Sequence, residues 1–185
     1  MAYVALVDAD VLHPYITVDL LLRLAERRSF RLAWSDEILG EVRRSLVRRG
    51  IDPGRVERRL EAMCDAFPEA MTPDIGRFLS VVPASVEAGD RHVVATALAA
   101  RADAIVTRNV SDFAPSDLFE LGIEVQSLDA FLVNRWSLDS EVVLDALHEM
   151  EQDRTRPPRT VEEVLGALEP FAPSFVESVR GSAEV

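Results

Sequence analysis

Two aspartates follow a short apolar run near the N-terminus, in the segment ALVDADVLHP at residues 5–14. Residues 3–7 read as a strand buried on both faces, so Asp8 and Asp10 stand where that strand reaches the surface. A carboxylate in this position can ligate a hard cation, act as a nucleophile or cap the following helix. The pair alone does not choose between these chemistries.

Other polar residues occupy comparable places along the chain: Glu41, Asp90, Asn109 and Asp112. Asn109 and Asp112 follow the predicted strand at 103–107, and Asp90 opens the helix after FLSVVP at 78–83, which we also predict to be a strand. Because sites in parallel α/β sheets form beyond the carboxyl ends of the strands, we expect these side chains to meet at one rim.

Carboxylates that converge repel one another unless they are protonated or bridged by a cation. A hard divalent ion such as Mg²⁺ is a natural bridge, and it would polarise a phosphodiester and activate water. Structural roles remain open for each acid taken singly. Asp8 and Asp10 could cap a helix, and Glu41 could pair with a nearby arginine. The charge of Asp90 could simply be stabilised by the dipole of the helix that it opens.

The elements that must position these residues alternate between strands and helices. Predicted strands at 3–7, 78–83, 103–107 and 123–127 are separated by helical segments such as 17–28. This order predicts an α/β fold, with a mostly parallel sheet of four or five strands and helices on both faces.

The last part of the chain has a different character. Residues 137–185 are acidic and read as a helix over 138–152, an Arg- and Pro-rich break, a helix with a capping box at Thr160 and a last short helix. We therefore predict a first domain over 1–136 and an acidic helical extension over 137–185.

Composition narrows the possible functions. The 185 residues include no lysine, which excludes P-loop and Schiff-base chemistry, and the net charge of −12 argues against a simple basic nucleic-acid binder. Residues 20–60 nevertheless carry a local charge of +5, so one region could meet phosphate. One cysteine, no long apolar run and no visible signal peptide predict a cytoplasmic protein without a membrane segment.

Three stretches together resemble a known family. VDADVL, WSDEILGEVRRSL and GDRHVVATALAARADAIVTRNVSDF are similar to segments of PIN domains, and in particular to VapC-like toxins of bacterial toxin–antitoxin pairs. The resemblance covers about residues 3–135 and is most specific over 89–113. It implies a three-layer α/β/α fold, endoribonuclease activity dependent on Mg²⁺ or Mn²⁺, and a cognate antitoxin protein.

The resemblance also implies roles for individual residues. Asp8, Glu41, Asp90 and Asp112 match the four acidic catalytic positions, with Asp8, Asp90 and Asp112 as metal ligands and Glu41 beside the attacking water. Asn109 occupies the neighbouring polar site, and Asp10 stands where many relatives carry Asn.

Further residues could support this chemistry. Asp10, Thr107, Arg91 and Arg108 could assist the site or bind substrate, while Arg43, Arg44 and Arg48 could contact the RNA backbone or form a solvated helix face. The expected partners are an RNA substrate, an antitoxin and a second copy of the chain in a homo-oligomer.

Two other functions stay open at this point. A haloacid-dehalogenase-like phosphatase would use Asp8 as nucleophile and Asp10 as acid–base group, although its usual lysine is missing. A catalytically silent PIN-fold module would bind RNA or protein without cutting RNA.

Overall fold

The structure, a computed structural model, describes residues 2–113, 115–152 and 160–182 and contains a four-stranded sheet. The strands are β1 (Val4–Val7), β2 (Arg31–Ala33), β3 (Ala104–Thr107) and β4 (Glu124–Ser127), in the order β2-β1-β3-β4. Strand β1 pairs in parallel with β2 and with β3, and Leu6 lies opposite both Ala33 and Ile105. The predicted three-layer α/β/α class is confirmed.

Continuous burial explains why β1 and β3 lie in the middle of this sheet. Ala5, Leu6 and Val7 are fully buried, and so is each of the four residues of β3. Side chains of alternate residues point to opposite faces of a sheet, so both faces are covered. Asp8 and Thr107 are thereby held at neighbouring strand ends.

The chain divides into two units. The first consists of Met1–His13 and Arg31–Gln126, and the second of Pro14–Phe30 and Ser127–Val185. The predicted domain boundary between residues 136 and 137 stays a prediction, because a unit defined by internal contacts is not necessarily a domain that folds alone.

The helices of the first unit are α1 (Ala9–Leu12), α3 (Asp36–Arg48), α4 (Pro53–Ala66), α5 (Arg91–Ala100) and α6 (Pro115–Glu120). Helix α3 begins after Ser35, whose hydroxyl accepts the Ile38 N–H, so the predicted N-cap is confirmed. Helix α5 begins after Asp90 and packs on the sheet through a buried run of small and β-branched residues from Val93 to Ala97.

The strand predicted over residues 78–83 is wrong. The segment follows a 3₁₀ helix at Ile75–Phe78 and continues as turns, and Leu79 and Val81 are exposed. Backbone carbonyl oxygens of this segment accept hydrogen bonds from the Arg91 guanidinium, whereas in a sheet they would accept them from a neighbouring strand. Arg91 donates to Pro83 O at 2.9 Å, to Leu79 O at 3.0 Å and to Val82 O at 3.1 Å. An apolar β-branched run does not reveal such side-chain binding.

The strand that takes its place in the sheet is β2, at the segment FRLAW. Only Arg31–Ala33 is regular strand, and Trp34 then makes an isolated bridge to Met71. Strand β2 lies beside β1, and the chain continues from it through Trp34 to Ser35, the N-cap of α3. Strand β2 thus places helix α3, and with it Glu41, beside the end of β1.

The second unit contains helices only: α2 (Tyr15–Glu26), α7 (Leu128–Leu138), α8 (Ser140–Gln152), α9 (Val161–Leu168) and α10 (Pro173–Arg180), among its described residues. The predicted capping box is confirmed, since the Thr160 hydroxyl accepts the Glu163 N–H while the Glu163 carboxylate accepts the Thr160 N–H. The predicted Arg- and Pro-rich break lies largely outside the described residues. None of the described helices combines the length and apolarity needed to cross a bilayer.

An ion pair joins two helices of this unit. Glu149 of α8 accepts a hydrogen bond from Arg23 at 3.1 Å and lies 2.5 Å from the Arg27 guanidinium. Arg23 is in the last turn of α2, and Arg27 is the C-cap of that helix. These pairs lower the pKa of the Glu149 carboxyl through the Arg27 hydrogen bond in particular. The basic excess of residues 20–60 is therefore partly neutralised by the acidic C-terminal region.

Removal of the Arg91 guanidinium tests the assignment of residues 78–83. We expect Arg91→Ala to lower the free energy of unfolding by about 2 kcal/mol, because three carbonyl oxygens lose a charged donor. Urea unfolding measures this loss, and hydrogen exchange should show faster exchange over 79–86. Arg55→Ala, which removes an arginine from the exposed first turn of α4, is the matched control and should change stability by less than about 0.5 kcal/mol. Unchanged exchange in Arg91→Ala would contradict the assignment.

Candidate active site

A polar pocket of about 310 Å³ opens in the first unit, at the carboxyl end of β1. Its lining residues are Asp8, Ala9, Asp10, His13, Glu41, Arg44, Ser45, Arg48, Asp90 and Asn109. They come from the start of α1, from α3, from the start of α5 and from the segment after β3. The convergence expected at one rim thus brings together Asp8, Glu41, Asp90 and Asn109.

Asp8 is the most buried acid of the pocket, at 8% exposure. Its Oδ1 accepts the Ala9 N–H at 2.6 Å and its Oδ2 accepts the Thr107 hydroxyl at 2.9 Å. Burial raises the pKa of the Asp8 carboxyl, and the negative charge of Glu41 adds to that shift, while the two hydrogen bonds oppose it. Asp8 is therefore both the N-cap of α1 and a constrained carboxylate on the pocket wall.

Asp10 ties helix α1 to the end of β3. Its carboxylate accepts the Arg108 backbone N–H, with Oδ2 at 2.9 Å and Oδ1 at 3.2 Å. Burial, followed by repulsion from Asp8, raises the pKa of the Asp10 carboxyl to about 6. Part of the charge at this end of the pocket is consequently lost in mildly acidic solution.

Thr107 connects three of the candidate residues. It is fully buried, and its hydroxyl donates to Asp8 while accepting the Asn109 N–H at 3.1 Å. Asp10 Oδ2 lies at 3.5 Å from the same hydroxyl, so Asp8 is the nearer acceptor. Thr107 does not line the pocket, and it acts by orienting groups that do.

Glu41 and His92 face each other between α3 and α5. His92 Nε2 lies 3.4 Å from Glu41 Oε2, but their geometry does not meet that of a hydrogen bond, and Nε2 is buried without a partner among the described residues. The side chain of His92 is only 17% exposed. The other carboxylate oxygen of Glu41, Oε1, lies at the longer distance of 3.9 Å from the Arg44 guanidinium.

Asp90 and Asp112 approach each other without sharing a hydrogen bond among the described contacts. Burial raises the pKa of Asp90, and the charges of Asp8 and then Asp112 raise it further. Asp112 lies in a 3₁₀ helix, Val110–Phe113, and its carboxylate accepts the Ser111 hydroxyl at 3.2 Å. Asp112 is thus near Asp90, although it is not among the residues that line the pocket.

The donor set of the pocket suits a hard divalent cation, since it consists of carboxylates and one amide. Neighbouring carboxylates contribute to the raised pKa values of Asp8, Asp10 and Asp90, so a cation would relieve repulsion there. In the part of the chain that the structure describes, however, no three His, Cys, Asp or Glu side chains are placed to hold a metal ion. The residues fit a cation by chemistry, whereas a finished ligand geometry is not preformed.

The candidate arginines divide into two groups. Arg44 and Arg48 line the acidic pocket, whereas Arg43 forms a bidentate ion pair with Glu57 at 2.5 and 3.1 Å. Arg91 binds backbone carbonyls of residues 79–83, as described above. The charge of Arg108 lowers the pKa of Asp10, and its backbone N–H binds the same carboxylate.

Three further residues belong to this region, and sequence reasoning missed one of them, Ser45. Ser45 lines the pocket, one turn of α3 after Glu41, and His13 lines it from the end of α1. The sequence favours a partly exposed helix position for His92, and the structure places it there, 17% exposed and beside Glu41. The i, i+4 spacing of Glu41 and Ser45, which puts both on one helix face, was the available signal for Ser45.

Comparison with known proteins gives two family matches. Residues 4–111 match the profile of the PIN domain, and residues 128–181 match that of the VapC50 C-terminal domain. A Mycobacterium tuberculosis protein described as "Putative ribonuclease VapC50" is 33% identical over 91 residues. That similarity covers 49% of this chain and 54% of the relative, so the chain spans about half the length of the curated protein it matches. No solved structure gives a significant match.

These findings confirm the resemblance to PIN domains and to VapC-like proteins that the three sequence stretches predict. The most specific stretch, residues 89–113, falls almost entirely within the matched region 4–111.

Substitution of Asp10 tests the charge repulsion in the pocket. Its pKa of about 6 exceeds the ordinary value of 3.8, so between these pH values the folded chain binds more protons than the unfolded chain. The contribution of Asp10 to stability therefore falls as pH rises from about 4 to about 6. We expect Asp10→Asn to be more stable than wild type near neutral pH by about 1 kcal/mol, a value reduced for the partial solvent exposure of the site.

The measurement is urea unfolding across this pH range in EDTA. The difference between Asp10→Asn and wild type should shrink towards zero below about pH 4, where the aspartate is protonated in both states. Asp65→Asn, on the exposed face of α4, controls for the loss of one negative charge. A pH-independent difference for Asp10→Asn would contradict the repulsion.

Substitution of Thr107 tests its orienting role. Thr107→Val removes the buried hydroxyl while nearly preserving shape, so Asp8 loses a donor and the Asn109 N–H loses an acceptor. We expect a loss of about 1–3 kcal/mol in unfolding free energy, whereas Thr107→Ser, which keeps the hydroxyl, should lose less. Thermal and urea unfolding compare the two variants, and a loss in Thr107→Ser as large as that in Thr107→Val would contradict a dominant role of the hydroxyl.

Proposed function

Because the chain belongs to the PIN-domain family, whose profile covers residues 4–111, we propose that it is a metal-dependent endoribonuclease and the toxin of a toxin–antitoxin pair. The observation that carries the proposal is the pocket in which Asp8, Glu41 and Asp90 meet from three separate segments. The similarity to a relative described as a ribonuclease, over 91 residues, supports the same conclusion.

The proposed metal is Mg²⁺ or Mn²⁺. A bound divalent cation supplies positive charge that neutralises the phosphate and makes nearby water more acidic. Asp8 and Asp90 hold it, because both are partly or fully buried and already repel other carboxylates of the pocket. Asp112 and Asn109 would complete the donor set. Asn109 is positioned by the hydrogen bond that its backbone N–H donates to the Thr107 hydroxyl.

Glu41 is the proposed proton acceptor for the attacking water. The water oxygen forms a bond to phosphorus as its proton passes to the Glu41 carboxylate, and the bond from phosphorus to the ribose 3′ oxygen breaks. The products carry a 5′-phosphate and a 3′-hydroxyl, whose proton comes from solvent. Glu41 lies on α3 with His92 Nε2 at 3.4 Å from Oε2 and Arg44 at 3.9 Å from Oε1, and its side chain is 37% exposed.

Asp8 and Asp10 have different roles in this proposal. Asp8 ligates the metal, and Thr107 and the Ala9 N–H fix both of its oxygens. Asp10 holds the segment after β3 through the Arg108 N–H and so supports Asn109. This division favours a nuclease over the phosphatase alternative, in which Asp10 would have to deliver and accept protons at an aspartyl-phosphate.

The partners and location belong to the same proposal. An antitoxin protein, assembly into a homo-oligomer and a cytoplasmic location accompany toxins of this kind, and for this chain they stay predictions. Copurification with the product of a neighbouring gene and light scattering of the purified chain would test the first two.

The decisive experiment compares wild type with Asp8→Ala on cellular RNA. We expect wild type to cut single RNA bonds in Mg²⁺ or Mn²⁺ and to stop in EDTA, with recovery when the metal is restored. Asp8→Ala should reduce the cleavage rate by about a thousandfold or more, because a positioned charge at the reacting phosphate is lost. Sequencing of 5′-phosphorylated RNA ends measures both the rate and the target.

Two controls separate a nuclease from a silent binding module. Asp65→Asn removes a carboxylate outside the pocket and should cut RNA at the wild-type rate. Thermal unfolding of Asp8→Ala must show a folded chain. If folded wild type binds RNA but leaves it intact with every divalent metal tried, the binding module is correct and the nuclease proposal fails.

A further inference from the structure

Residues of both charges line the pocket. Asp8, Glu41 and Asp90 are among its acidic residues, its basic residues are His13, Arg44 and Arg48, and Glu41, Arg44 and Arg48 all belong to α3. Arg44 and Arg48 are four residues apart on α3, so their side chains project from the same helix face. Arg44 reaches Glu41 only at 3.9 Å, and no ion pair of Arg48 is among those of the described residues. The positive charges of Arg44 and Arg48 are therefore only weakly neutralised by the protein.

His13 lies where several arginines converge. Burial lowers the pKa of His13, and the charges of Arg49, Arg59, Arg108 and Arg48 lower it further. Arg59 is fixed nearby, because its guanidinium donates to Leu12 O at 2.7 Å and to His13 O at 3.3 Å. These arginine charges give the surroundings of His13 a positive potential.

The imidazole itself has unused hydrogen-bonding capacity. His13 Nε2 is buried without a hydrogen-bond partner within the described chain, although the residue lines the pocket. A buried nitrogen without a partner is costly, and a bound acceptor group would satisfy it. The charge of the arginines and this missing partner both favour an anion with oxygen acceptors.

We propose that His13, Arg44 and Arg48 form a subsite for the RNA phosphate that neighbours the bond being cleaved. The subsite rests on the proposed function, since it takes the substrate to be RNA. It adds that the enzyme binds the RNA strand on one particular side of the cleaved bond. In this proposal the acidic residues of the pocket act at the scissile phosphate. The basic residues bind the next phosphate along the strand, on one side of the cleaved bond only. Good substrates must then carry a charged phosphate on that side.

A structural role could account for part of the same arrangement. Arg48 is the last residue of α3 and Arg49 is its C-cap. Both positive charges therefore interact favourably with the negative end of the helix dipole and stabilise the helix. That role predicts an effect of Arg48 on stability and none on phosphate binding. The experiment therefore measures binding, stability and cleavage separately.

The first arm measures binding without metal. The probe is a fluorescein-labelled single-stranded polyuridylate of about 12 nucleotides, titrated in EDTA at several salt concentrations. Arg48→Ala should weaken binding about five- to tenfold at physiological salt and reduce the slope of log K against log salt by about 0.7, the value for one phosphate contact on a single strand. Arg55→Ala, outside the pocket, should change neither quantity.

His13 is tested by a matched pair of variants in the same assay. His13→Gln keeps an N–H donor at the end of the side chain, whereas His13→Leu removes it. We expect His13→Leu to bind the probe about threefold or more weakly than His13→Gln. Urea unfolding must show that both variants are folded. An unchanged salt slope in Arg48→Ala, or equal binding by the two His13 variants, overturns the subsite.

The second arm places the contact relative to the cleaved bond. In an RNA with one mapped cleavage, a neutral methylphosphonate replaces the phosphate on the 5′ side or on the 3′ side of that bond. One of the two replacements should lower kcat/KM about tenfold in wild type and have little further effect in Arg48→Ala. Equal effects of both replacements, or losses that add to that of Arg48→Ala, contradict a one-sided subsite.

The two proposals fail in different ways. A chain that cuts RNA but shows no coupling between Arg48 and a neighbouring phosphate lacks the subsite and keeps the proposed function. A chain that shows the Arg48-dependent salt slope but never cuts RNA keeps a phosphate-binding site, and it loses both the proposed function and the place of that site beside a cleaved bond. Absence of binding to the probe overturns the subsite.

Discussion

The buried carboxylate of Asp8 is the constraint on which the pocket depends. It caps α1 through the Ala9 N–H and accepts the Thr107 hydroxyl of the neighbouring strand, so it joins two parallel strands where they end. Its charge also raises the pKa values of Asp10 and Asp90. The fold thus concentrates negative charge at a position that its own hydrogen bonds hold in place, and neutralisation of that charge is the simplest use for it.

Continuous burial and helix caps made much of this arrangement predictable from the sequence. The short apolar runs before Asp8 and before Asn109 predicted interior strands, and parallel strands bring their carboxyl ends to one edge. Ser35 identified the start of α3 through its side chain, and this in turn placed Glu41. These features depend on local chemistry, which the order of residues contains directly.

The remaining features depend on contacts between distant segments. Residues 78–83 have the composition of a strand, but Arg91 supplies the hydrogen bonds that a neighbouring strand would have made. The true strand at Arg31–Ala33 is too short to show periodicity. In the same way, neither the closeness of His92 to Glu41 nor the arginines around His13 can be seen without the folded chain. Long-range side-chain contacts therefore limited the prediction, rather than the propensities of single residues.

Arg91 also has a mechanical consequence, because the residue before it is Asp90. Its guanidinium holds the backbone of residues 79–83, and its Cα is one peptide bond away from the acid that lines the pocket. The backbone of residues 79–83 and the acidic pocket are thereby joined through two consecutive residues, Asp90 and Arg91, and the hydrogen bonds of the second help to fix the position of the first.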